Sequence, residues 1–315
     1  MNTGYILQRL FSTLIVIFGI TFVVFMIIQL VPGDPARVVL GVAASEENVA
    51  ALRERLGLNR PIWEQYGSWL SELAQGDLGN SLVTGQPVLE QILQRLPATL
   101  VLATAGLIVG LLIGLPAGIM SALKPHSPLD TTTSILSQIG VSIPDFWLGI
   151  LLVLLFSLTL GWLPSQGYTP FSQDPVDWFR HLILPALTVG IISGSIQTRF
   201  NRSAMLEVLH QDYIRTARAK GLREALVVNR HALRNALIPI ITILGLQLTA
   251  LLSAVVVVEV VFSWPGLGRL TLEAVLDRDY PLLQGAVFTI ATLLALVNLG
   301  TDLLYAFIDP RIEYA

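Results

Sequence analysis

Four strongly polar residues, Asp145, Glu259, Asn298 and Asp302, stand inside long apolar runs of this 315-residue chain. Such groups are costly at the centre of a bilayer, so they usually face a bundle interior or a water path. Carboxylates at matched depth on facing helices would make a proton or sodium relay; isolated ones hydrogen-bond a neighbouring helix or touch a passing solute. The four show no matched spacing, and no pair of broken segments recurs in two halves, as an inverted-repeat secondary transporter requires. Glu259 and Asp302 lie near the ends of their runs. Interfacial or interhelical hydrogen bonding therefore competes with lining of a substrate path, with Asp145, Glu259 and the nearby Trp264 as the candidates for that path or its outer gate.

Other chemistry has no residues to perform it. A phosphate cradle of the form G-x-x-x-x-G-K-[ST] needs a Gly-Lys pair, and none exists; H-E-x-x-H and G-x-S-x-G are also missing. With no cysteine, thiolate metal sites and disulfides are excluded. His126, His181, His210 and His231 are scattered without ligand spacing and read as loop or interfacial residues. The expectation is a chain with no catalytic, cofactor-binding or metal residues of its own, and no nucleic-acid partner.

The elements that carry these residues are membrane helices. Hydrophobic residues make up 53% of the chain and charged ones only 13%, with a mean hydropathy of +0.69. A spanning helix needs about 20 mostly apolar residues, because the bilayer core offers the backbone no water. Six runs qualify: 10–31, 98–123, 131–160, 182–200, 236–262 and 284–308. The first is too long for a signal-peptide core and lacks a small-residue cleavage site, so it reads as an uncleaved anchor. The fold class is thus an all-α membrane protein. Its parts are an N-terminal tip with the first span (1–31), an outer loop (32–97) and a five-helix core (98–315).

Charge sets the expected orientation. The loop 201–235 holds Arg202, Arg215, Arg218, Lys220, Arg223, Arg230 and Arg234 against Glu207, Asp212 and Glu224. By the positive-inside bias it is cytoplasmic, and with six spans both termini share that side. The loop 32–97 carries more acids than bases, as an outside loop does. It also patterns as short surface helices. One is capped by Ser45, carries Val49, Leu52 and Leu56, and stops at Gly57. A second carries Ile62, Tyr66, Trp69, Leu70 and Leu73, and a third starts at Pro87 with Val88, Leu89, Ile92, Leu93 and Leu96. "WPGLG" (264–268) predicts a tight outer turn, with Trp264 at headgroup level and the glycines taking unusual dihedrals.

Within the basic loop, "DYIRTARAKGL" (212–222) places Tyr213, Ile214 and Ala217 on one apolar edge of a short helix ending at Gly221. Small residues amid the charges distinguish it from a purely topogenic cluster and leave two readings: an anionic-lipid site, or a docking helix for a soluble partner. The segment resembles the EAA motif (E-A-A-x3-G-x9-I-x-L-P) of bacterial ABC importer permeases, with Arg215-Thr216-Ala217 in the E-A-A places and Gly221 as the glycine. His231, Leu233 and Arg234 fall where that motif has I, L and P, so only Ala217, Gly221 and Leu233 match strictly. The form used by the dipeptide/oligopeptide/nickel permease family is closer. "RHALRNALIP" (230–239), "VPGDPA" (31–36), "GDLGNS" (76–81), "RLPATL" (95–100), "VSIPDFWLG" (141–149), "VVEVVFSWPGLGRL" (257–270) and "RDYPLLQ" (278–284) also resemble that family, in order, and "PGDPA" its B-type subunit.

The resemblance implies a type I ABC importer permease fold in the bacterial inner membrane. It implies a second homologous permease, two cytoplasmic ATPases that bind ATP and magnesium, and an extracytoplasmic substrate-binding protein as partners. Arg215, Thr216, Ala217, Arg218, Ala219, Lys220, Gly221 and Leu222 would form the coupling helix seated in an ATPase groove. The cargo it implies is di- or oligopeptide, with nickel chelates, glutathione and oligosaccharides open.

Overall fold

A computed structural model describes residues 3–30, 36–37, 45–55 and 57–308. The described residues are almost wholly helical and divide into two compact units. One comprises Ile6–Thr99 and Pro265–Leu296; the other comprises Met1–Tyr5, Leu100–Trp264 and Val297–Ala315.

In the first unit, helix α1 (Thr3–Leu30) is joined by α2 (Glu46–Arg55) and α3 (Ile62–Ala74). Ser45 Oγ accepts the Asn48 amide, which starts α2 as its sequence indicates. Gly57 lies at φ +66, just beyond the helix. Of the expected α2 stripe, Val49 is buried, while Leu56, like residues 31–35 of "VPGDPA", lies outside the described residues. An aromatic set holds α3 to its neighbours: Tyr66 meets Phe22 edge-on with ring centres 5.9 Å apart, and Trp69 lies 6.1 Å from Phe25 and 6.4 Å from Phe288. Thr21 Oγ1 and the Tyr66 hydroxyl add a 2.8 Å hydrogen bond.

The expected third surface helix is instead the start of α4 (Val88–Leu123), which runs on without a break through the second span. Its 36 residues extend about 54 Å, well beyond the roughly 30 Å of hydrocarbon. Val88 and Ile92 are buried against Leu267, Leu270 and Ala274 of α10 (Leu267–Leu276) and against Leu282 of α11 (Tyr280–Ile308). Asp279, almost wholly buried, caps α11 through the Leu282 amide and ties down the loop before α4 by accepting from Ser81 Oγ and from the Leu82 amide at 3.2 Å.

The second unit holds the rest of α4, then α5 (Pro128–Ser142), α6 (Asp145–Leu152), α7 (Pro175–Leu209), α8 (Asp212–Ala219) and α9 (Leu233–Val261), with the end of α11. Here the run expected as one span over 131–160 is not one continuous helix. It is two helices bent by 108°, α5 and α6, the latter continuing as a π-helix over Val153–Thr159. Pro144 is the cause: its ring disfavours the helical region for Ile143, which sits at φ −83, ψ 128. Among the described residues, five helices are long and apolar enough to cross a membrane, or six if the bent pair counts as one span.

A row of glycines lets α4 and α7 approach closely. Gly106, Gly110, Gly114 and Gly118 recur every fourth residue, and a Cβ on them would meet Val189, Ser193, Gln197 and Asn201 at 2.6–2.9 Å. The Asn201 amide donates to the Gly114 carbonyl at 3.0 Å across this contact. Periodicity of large apolar residues does not reveal this row; the small-x-x-x-small spacing in "AGLIVGLLIGLPAG" (105–118) does.

Candidate functional site

The basic segment forms the eight-residue helix α8 and then stops sharply. The amides of Lys220 and Gly221 donate back to the Thr216 and Arg218 carbonyls, and Gly221 turns the chain out at φ +80. A Cβ on Gly221 would meet nothing within 4 Å, so the glycine is needed for its backbone angle and not for space within this chain.

α8 presents two faces. Ile214 and Ala217 are buried in this chain's own core with Ala122, Met205, Val227 and Ala232. The small size of Ala217 is therefore accounted for internally, which corrects the expectation that its size serves a partner's groove. Arg215, Thr216, Ala219 and Lys220, with Leu222 beyond the stop, are exposed. Two ion pairs shape this surface: Arg218 with Glu224 at 2.7 Å and Arg215 with Asp212 at 3.2 Å. Hydrogen bonding to Arg218 holds the Glu224 carboxyl below its ordinary range and raises the guanidinium in turn. Both groups face water, so the pair orients side chains more than it stabilises the fold. Asn235 Nδ2 donates to the Tyr213 hydroxyl at 2.9 Å and fixes the helix to the start of α9.

The polar residues of the apolar runs are placed differently from one another. Asp145 is the first residue of α6, at the break in the bent pair, where a carboxylate complements a helix N-terminus. One turn on, a Cβ at Gly149 would lie 3.1 Å from Phe262 and 3.3 Å from Val261, so α6 runs beside the end of α9 that carries Glu259. Asn298 accepts from Thr249 Oγ1 between α11 and α9, which is an interhelical role. Asp302 is partly buried.

Glu259 and Trp264 are both fully buried. The Trp264 amide donates to the Glu259 carbonyl at 2.9 Å, closing the turn, and the indole packs edge-on against Tyr168 with ring centres 4.9 Å apart. Trp264 is thus a core residue covered by the 161–174 loop, not a headgroup anchor. The unusual dihedral falls on Ser263, at φ +53, whereas Gly266 is extended and Gly268 lies buried in α10. Trp264→Ala is expected to cost about 3–5 kcal/mol through the cavity it leaves. A thermal melt of the purified protein checks this, and an unchanged midpoint would contradict the packing described.

Comparison with known proteins decides the family. The family of binding-protein-dependent transport system inner membrane components matches residues 114–314, and its N-terminal companion matches residues 2–103. This chain belongs to that family. As an inner membrane transport component, it is 44% identical to the dipeptide transport system permease protein DppB of Alkalihalophilus pseudofirmus, over 99% of each chain. It is 42% identical to the oligopeptide transport system permease protein AppB of Bacillus subtilis, again over 99% of each. Among solved structures, inward-facing forms of the MetNI methionine ABC transporter share the fold, with a TM-score of 0.58 at 18% identity over 70% of this chain and 96% of that one. An amino acid ABC transporter matches with a TM-score of 0.51 at 17% identity, over 71% and 94%.

Proposed function

We propose that this family member is the pore-forming permease subunit of an ATP-driven importer of di- or oligopeptides. The observation that carries the reading is identity of 44% and 42% over 99% of the chain to permeases of dipeptide and oligopeptide systems. Its partners are then a second permease, two ATPases that hold ATP and magnesium, and an extracytoplasmic binding protein that delivers the peptide. Purifying the complex with its binding protein and identifying the co-purifying ligand tests the cargo; a nickel chelate, glutathione or an oligosaccharide in place of peptide would refute it.

The coupling site of this reading is the exposed surface of α8 with the Lys220–Leu222 stop. In an alternating-access cycle, ATP moves the bundle only as far as its binding favours one conformation over the other. A docking helix must therefore be fixed to the bundle, and burial of Ile214 and Ala217 together with the Tyr213–Asn235 bond supports that. Asp145 and Glu259 are proposed for the translocation path and Glu259–Trp264 for its outer gate, on the packing of α6 beside the end of α9. Unchanged import by Glu259→Gln in an assembled complex would remove the gate from the account.

Both termini and residues 201–235 are proposed to be cytoplasmic, on the arginine asymmetry. Because the native chain lacks cysteine, single cysteines report cleanly. Gln75→Cys is expected to react with an impermeant thiol reagent on intact cells and Asn229→Cys to remain unlabelled. The reverse pattern would invert the topology.

A further inference from the structure

Next to the core of α8 lies an ionic cluster that the site described above does not use. Asp130, in the first turn of α5 and only 4% exposed, accepts two bonds from one guanidinium: Arg202 Nε at 2.6 Å and Nη2 at 2.8 Å. Its carboxylate also takes the Ser121 hydroxyl from the end of α4 and the His126 amide at 2.9 Å from the intervening turn, where His126 lies at φ +63. Every oxygen of this buried carboxylate is therefore engaged, and three chain segments meet on it: α4, the 124–127 turn with the start of α5, and α7. A bidentate guanidinium fixes orientation as well as distance.

The position of the cluster gives it a consequence. Ala122, one residue past Ser121, and Met205, one turn past Arg202, both lie in the core that receives Ile214 and Ala217. At the same level α4 and α7 touch through backbone, since a Cβ on Gly118 would sit 3.1 Å from the Arg202 amide nitrogen. α8 is held to α7 by the short His210–Gln211 link and to α4 and α7 by apolar packing, which allows sliding; a bidentate ion pair with a fixed geometry does not. Arg199 of α7 adds a 3.2 Å bond from Nη1 to the Gln138 side-chain carbonyl further along α5, but among the described residues the ion pair between these two helices is Asp130–Arg202.

We infer that Asp130 and Arg202 are positioning residues that lock the ends of α4, α5 and α7 into one rigid body with α8, so that a displacement of α8 is delivered to all three helices together. This rests on the proposed reading of α8 as the ATPase-docking helix. Removing one partner leaves a buried charge uncompensated, whereas exchanging the two keeps a pair in place.

The test uses the full transporter, purified with its binding protein and ATPases and reconstituted in liposomes. Spin labels on Ser134→Cys in α5 and Gln211→Cys at the start of α8, both exposed and outside the proposed docking surface, read the distance between them with and without trapped nucleotide. In the parent chain the distance is expected to stay constant. In Asp130→Asn and Arg202→Gln it is expected to change between states, and the ratio of peptide imported to ATP hydrolysed to fall about tenfold, near the upper range of coupling mutations. The exchange Asp130→Arg with Arg202→Asp is expected to recover part of that ratio. A wild-type ratio in Asp130→Asn overturns the inference, as does a label distance that already changes in the parent. If single variants lose assembly, and the exchange restores assembly while the ratio never departs from wild type, the pair is structural only and the inference is overturned. Failure of Thr216→Cys to cross-link to an ATPase in the parent complex refutes the docking reading instead, and is scored apart from the label distances.

Discussion

Gly118→Leu is expected to abolish accumulation of the folded protein, and Gly118→Ala to lower its thermal midpoint clearly. A Cβ at this position would lie 2.6 Å from the Asn201 Cβ and 2.8 Å from the Thr198 carbonyl oxygen. The second obstacle is backbone, so no rotamer change relieves it. α4 and α7 must move apart, and that also breaks the bond from Asn201 to the Gly114 carbonyl. Overpacking of this kind costs about 1–3 kcal/mol for a small group, and a leucine adds more. Gly19→Leu and Gly300→Leu are the controls, since a Cβ at either position meets nothing within 4 Å. Fluorescence-detected size exclusion with a thermal ramp measures all four. A Gly118→Leu protein as stable as the Gly19→Leu control would contradict the close α4–α7 contact.

The second large effect is expected at Gly221, and it is one of function. At φ +80 an alanine costs about 1–2 kcal/mol, an asparagine less, and a β-branched residue more. The order of import should therefore be glycine, asparagine, alanine, valine, with expression nearly constant because the residue is exposed and unpacked. The predicted loss arises because the chain relieves its strain by reorienting the end of α8, where Lys220 and Leu222 are presented. Were α8 an anionic-lipid site, neutralising Arg215 and Lys220 would matter most and Gly221→Val little. Peptide uptake and ATPase co-purification across both sets separate the two. Normal uptake in Gly221→Val would sink the docking assignment.

Much of the fold can be read from residue order because its signals are local. Long apolar runs mark membrane helices, and Ser45 and Gly57 bracket α2. Where tertiary contacts decide, the reading departs from the structure. Pro144 breaks the third run into a bent pair although hydropathy stays high across it. α4 continues beyond the length of an apolar span because Val88 and Ile92 find partners in α10 and α11, which are remote in sequence. Trp264 looks like an interfacial anchor by type and is buried, because the 161–174 loop folds over it.

Of the candidate site, the stop at Gly221 is written in the sequence, but the reason for Ala217 is not. That reason depends on Met205 and Val227 reaching it from other segments. Arg202 likewise reads as one more positive-inside charge until Asp130, 72 positions away, is seen to hold it.

The central claim is that this chain forms the membrane path of an ATP-driven peptide importer. Its most direct test is uptake of a labelled dipeptide into proteoliposomes holding the purified complex, with binding protein outside and ATP inside. The account predicts accumulation that requires both ATP and binding protein and that disappears in Gly221→Val. Accumulation driven by a proton or sodium gradient without ATP, or ATP-dependent uptake of another solute with none of peptide, would contradict it.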